Sequence, residues 1–104
     1  MGLKVSNNAY GTLAVGITSS ATTIVLNAGE GARFPTLGAG DFFFAVLINP
    51  TGDLEIVKAT ARSTDTLTVV RGQDGTTARS YSVNDRIEMR IVAAIFDTII
   101  AALP

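Results

Sequence analysis

Two hydrophobic periods meet near the end of this chain. In Arg86-Ile87-Glu88-Met89-Arg90-Ile91 every second residue is apolar and the other three are charged, the pattern of a strand with one face on a core and one in water. From Val92 the period lengthens. Val92, Ile95, Phe96, Ile99, Ile100 and Leu103 recur at i, i+3, i+4, i+7, i+8 and i+11, which predicts an α-helix with one apolar stripe and Asp97 off it. At about 1.5–3 kcal/mol per buried side chain, the stripe represents on the order of 10 kcal/mol. It is therefore expected to cover the sheet or another chain. The remaining faces carry Ala93, Ala94, Ala101 and Ala102 with hardly a charge, which favours a partner there too.

Upstream the pattern is that of strands. Short β-favouring runs at Thr12 to Val15 and Thr22 to Leu26 flank the turn residues Thr18-Ser19-Ser20. Asn27 to Gly40 reads as a Gly- and Ala-rich loop pinned by Phe34. Phe42 to Ile48 is continuously apolar, which predicts a strand buried on both faces. The turn Asn49-Pro50-Thr51-Gly52-Asp53 leads to a strand at Leu54 to Thr60. A second turn, Arg62 to Asp65, leads to the alternating run Thr66 to Val70, completing an antiparallel meander. The expected fold is mainly β, a small antiparallel β-sandwich or barrel-like domain with one short C-terminal α-helix. Residues 1–10 read as an extended arm that grips a neighbouring copy, 11–91 as the β-rich domain and 92–104 as the apolar helix.

Composition narrows the function. The 104 residues suit one domain, and charged residues make up only 16% against 47% hydrophobic, so apolar surface in search of a partner is expected. Eight basic and nine acidic residues leave no electrostatic footprint for nucleic acid or an acidic membrane. With no apolar run of spanning length and no signal-peptide pattern, the expected site of synthesis is the cytoplasm. Met1-Gly2-Leu3-Lys4-Val5-Ser6 fits the loose myristoylation pattern, which is too short to carry weight.

Chemistry finds little footing. There is no cysteine, and the absence of histidine removes the commonest general base and metal ligand together. Lys58 reads as an outward, solvated strand lysine rather than a nucleophile. Asp74 and Asp85 read as turn residues rather than a carboxylate pair, and with Asn84 they lack the ligand alternation of a calcium loop. Gly29-Glu30-Gly31 and Gly38-Ala39-Gly40 do not continue into a phosphate loop, and Phe42-Phe43-Phe44 has no interleaved basic residue for stacking bases. No catalytic residue, cofactor site or metal site is expected.

Four segments resemble a small module of bacteriophage virion proteins, including the attachment parts of tail fibres. They are Thr22-Thr23-Ile24-Val25-Leu26 with Phe34-Pro35, then Leu54-Glu55-Ile56-Val57-Lys58, the run from Leu67 to Ala78, and Asn84-Asp85-Arg86-Ile87-Glu88. The most specific is the loop Arg71-Gly72-Gln73-Asp74-Gly75-Thr76-Thr77. It is expected to be structural, its glycines turning the chain and Arg71 pairing with Asp74 at the surface.

The resemblance implies a non-enzymatic virion protein assembled in the bacterial host, with partners of its own kind, as a homotrimer, and with other head or tail proteins. Many relatives continue into a shaft or receptor-binding domain, whereas this chain ends at Pro104. The expected role is an adaptor seating a tail fibre or spike, with a capsid decoration protein as the alternative and a carbohydrate-binding or hydrolase module as a reading of another class. The interface candidates are Phe42 and Phe44 on the strand and Ile95, Phe96, Ile99, Ile100 and Leu103 on the helix, which is expected to bundle around a threefold axis.

Overall fold

The computed structural model describes residues 2–7, 9–90 and 92–101. Its strands are β1 (Gly2–Leu3), β2 (Tyr10–Thr12), β3 (Thr23–Val25), β4 (Asp41–Ile48), β5 (Leu54–Ser63), β6 (Thr66–Gln73) and β7 (Arg86–Glu88). A 3₁₀ turn covers Glu30–Arg33, and one helix, α1 (Ala93–Ala101), follows β7. The strands lie in the order β2-β7-β4-β5-β6-β3, antiparallel throughout, with β1 added in parallel to β4. The fold is mainly β, as expected from the sequence, and the sheet curls into a half-barrel.

The meander runs as the pattern predicts. Phe44 stands opposite Lys58 and Val46 opposite Ile56 across β4 and β5, and Lys58 opposite Val70 across β5 and β6. Register shifts between Ile56 and Lys58 and between Ala59 and Ala61 mark irregularities in β5, the kind of feature that bends a strand and sharpens its twist. The curl is secured where Leu13 bridges Leu26, with Ala14 N–H donating to Val25 O at 2.8 Å and Asn27 N–H to Thr12 O at 3.0 Å. Here β2 runs Tyr10–Thr12 rather than Thr12 to Val15, and the chain after it leaves the β2–β7 pairing to bridge Leu26 through Leu13 and Tyr81 through Ile17.

Inside the curl, Leu13, Ile24, Leu26, Phe43, Leu47, Val57, Leu67 and Ile87 pack as one fully buried cluster. Phe34 joins it, its ring stacked on Phe43 with centroids 5.5 Å apart, so the long loop is held by the anchor its sequence suggested. The outer face of β4 is covered as well. Phe44 and Val46 pack with Val92, and Leu3, Phe42, Ile56, Ala94 and Ile95 lie against them. Double burial of β4 is thus achieved within the chain, by β1 and by the start of α1. Lys4 N–H extends the β1 pairing to Phe42 O at 2.8 Å, so this part of the arm lies on its own sheet.

The β5–β6 turn and the 3₁₀ turn are locked together. Asp65 accepts hydrogen bonds from Gly31 N–H at 2.8 Å and Gly29 N–H at 3.1 Å. A Cβ built on Gly31 would lie 2.0 Å from Thr64 O, a backbone atom that cannot swing aside. Gly31→Ala is therefore expected to lower stability by at least about 1–3 kcal/mol, read as a reduced urea midpoint at unchanged slope. Ala28→Gly, at a neighbouring exposed site, is expected to change it by less than about 1 kcal/mol.

Candidate functional site

The loop singled out by its sequence is built around a buried ion pair. On β5 the side chains of Glu55, Val57 and Ala59 share the inner face, which leaves Glu55 with no exposed surface. Arg71 on β6 is in phase with the core residues Leu67 and Val69, and its side chain is only 7% exposed. The two meet as a fork: Arg71 Nε donates to Glu55 Oε2 at 2.7 Å and Nη2 to Oε1 at 2.8 Å. Gly72 N–H and Arg79 N–H, both at 2.9 Å, complete four hydrogen bonds to the carboxylate. Arg71 also reaches two connecting segments, donating from Nη1 to Thr18 O and Ala21 O, both at 2.8 Å, and from Nη2 to Arg79 O.

Arg71 thus pairs with Glu55 in the interior, not with Asp74 at the surface. Glu55 is the residue that the sequence reading passed over, although its signal was present: a lone acid in phase with apolar neighbours on an alternating strand. Burial by itself would raise its pKa, but hydrogen bonds from Arg71, Arg79 and Gly72 outweigh burial and hold it below the usual carboxylate value. Nearby, the Tyr81 hydroxyl is buried without a hydrogen-bond partner among the described residues, and burial together with the charge of Glu55 pushes the phenol up to about 12.

Beyond this pair the loop turns on left-handed residues, Gly72 (φ 58°), Asp74 (φ 53°) and Gly75 (φ 81°). Thr76 Oγ1 bonds Ile56 N–H at 2.9 Å and Gln73 O at 2.7 Å, while Gln73 Nε2 donates to Arg71 O at 3.1 Å. Thr77 is exposed. Asp74 has a role of its own, for its Oδ2 accepts Ala94 N–H at 3.0 Å and so caps the first turn of α1. Asp85 Oδ2 accepts Ser82 N–H at 2.8 Å, the turn role expected of it. Among the described residues no group of acids is placed to hold a metal ion.

Among the described residues the helix is fastened through its first turns. Val92 and Ile95 reach the outer cluster on β4, whereas Phe96, Ile99 and Ile100 remain 54%, 45% and 64% exposed. Leu103 lies outside the described residues. Of the strand candidates, Phe44 is buried and Phe42 half-buried, its ring edge-on to Phe44 at 5.7 Å. Lys58 is not freely solvated: its ammonium sits 4.5 Å from the centroid of Phe42.

On the edge strand β2, Tyr10 is held between two guanidiniums, Arg33 at 4.5 Å and Arg86 at 4.8 Å from its ring centroid. Arg86 and Arg90 both pair with Glu88. Tyr10, Arg86, Glu88 and Arg90, with Ala9 and Met89, line an open depression of about 330 Å³. No protein-family model matches this chain, and neither does any curated protein.

Because the Glu55 carboxyl titrates lower in the folded chain than its ordinary value of 4.5, its contribution to stability is present above that pH and is lost as pH falls through the folded value. Glu55→Gln, which leaves Arg71 buried without its counter-charge, is expected to cost about 3–5 kcal/mol at pH 7. Denaturant unfolding should find the gap between wild type and variant narrowing as the pH is taken below 4.5.

Proposed function

We propose that this chain is a non-enzymatic structural protein of a bacteriophage particle, an adaptor that seats a fibre or spike and works through symmetric self-assembly. The observation that carries the reading is the outer half of α1, where Phe96, Ile99 and Ile100 are exposed on a helix whose only charge is Asp97. A nine-residue helix is marginal by itself, and among the described residues this one is fastened through its first turns. Burying the exposed half of three such side chains contributes roughly half of ~1.5–3 kcal/mol each to a contact, and a symmetric assembly repeats that contact in every copy. The loop from Arg71 to Thr77 fits the same role, since the side chains of Arg71, Gln73, Asp74 and Thr76 are engaged in internal hydrogen bonds that stiffen the base on which the helix stands.

The reading is tested by the mass of the purified protein in solution, measured by light scattering. A trimer or larger assembly is expected for the wild type, and monomers for Phe96→Asp and Ile99→Asp. Both sites are exposed, so the variants should keep wild-type stability to within about 0.5 kcal/mol. A monomeric wild type, or variants that unfold instead of dissociating, would remove self-assembly through the helix. Head and tail genes beside the coding sequence would support the particle setting, and metabolic genes in that place would count against it.

A further inference from the structure

The exposed strip of α1 has a definite chemistry. Phe96 and Ile100 lie one turn apart, and Asp97 follows about 100° further round, so the strip is apolar with a single acid along its margin. Asp97 makes no ion pair among the described residues. A surface complementary to this strip needs an apolar floor with a basic rim.

The depression at the β2–β7 edge has that composition. The half-buried Met89 and the Tyr10 ring, 40% exposed, supply apolar atoms over the buried Ala9, while Arg86 and Arg90 stand at its margin with 49% and 43% of their side chains exposed. Arg33 adds a third guanidinium behind Tyr10. Glu88 engages both rim arginines, yet each guanidinium carries five N–H donors and keeps most of them for another acceptor. Of the other basic side chains, Arg71 is buried, Arg62 is spent on Pro35 O, Thr36 and Thr64 O, and Lys58 lies over Phe42, while Lys4 and Arg79 are exposed outside this depression. Tyr and Arg are also the residue types that most often anchor protein interfaces.

We infer that the α1 strip of one copy docks in the Tyr10–Arg86–Arg90 depression of a second copy, with Asp97 meeting the rim arginines. This rests on the self-assembly reading and specifies its partner surface. Copies then join head to tail, each giving a helix and receiving one, which closes into a ring when the rotation between copies divides a full turn. It replaces the helix-to-helix bundle expected from the stripe alone.

Mixing two disabled chains tests it. Phe96→Asp spoils the helix and leaves the depression intact, whereas the double change Arg86→Gln and Arg90→Gln spoils the rim and leaves the helix intact. Each variant by itself is expected to be monomeric by light scattering, with a far-ultraviolet circular dichroism spectrum like that of the wild type. Mixed in equal amounts, they are expected to form a one-to-one heterodimer through the single interface that remains whole. Asp97→Asn should weaken wild-type assembly several-fold by the same measurement. A mixture that stays monomeric, or a rim variant that assembles as well as the wild type, overturns head-to-tail docking while leaving self-assembly through the helix in place. A wild type that is itself monomeric overturns both.

Discussion

The Glu55–Arg71 pair is the constraint around which the rest of the chain is arranged. A carboxylate with no exposed surface is tolerable only when its lone pairs are filled, and here all four hydrogen bonds come from two short stretches, Arg71–Gly72 and Arg79. The loop between those stretches is therefore fixed at both ends. Through Thr18 O and Ala21 O the same guanidinium also reaches the connection between β2 and β3, which has no strand pairing of its own there. An apolar pair of equal volume would serve stability as well or better, since ion burial is expensive. What the pair adds is direction: a guanidinium fork donates to its partners in one plane only.

That fixed loop sets the place of the helix. Asp74 projects from it in the left-handed region and caps α1 through Ala94 N–H, while Val92 and Ile95 settle on Phe44 and Val46. The outer face of β4 is then closed by a few side chains from the two ends of the described chain, Leu3 from one and Val92, Ala94 and Ile95 from the other. Past that anchorage the apolar stripe continues into solvent. The stripe is longer than the surface available to it, and that surplus is the physical basis for reading the helix as an interface.

The strands were legible because their signals are local. The seven-residue apolar run of β4, the alternation in Arg86-Ile87-Glu88 and the ring of Phe34 announced their burial without reference to any other residue. The helix was equally plain in its period. Less legible was the ion pair, because Glu55 and Arg71 are 16 residues apart and each taken alone resembles an ordinary surface charge. Only their shared phase with Val57, Ala59, Leu67 and Val69 hints at burial. Pairing Arg71 with Asp74, its near neighbour, followed proximity along the chain where the chain itself supplies a better partner across the sheet.

By itself, then, the sequence determined the β-rich class, the order of the meander, the anchoring of the long loop and the presence of a helix with one apolar stripe. Each of these follows from side-chain period and turn chemistry within a few residues. The tertiary structure decided which charge meets which, that β4 finds its second cover in Leu3 and Val92, and how much of the helix stripe remains free. Those outcomes depend on how strands far apart in the chain are curled against one another, and on a sheet that leaves Phe96, Ile99 and Ile100 uncovered. A hydrophobic period states that a face seeks burial; only the finished surface determines what is there to bury it.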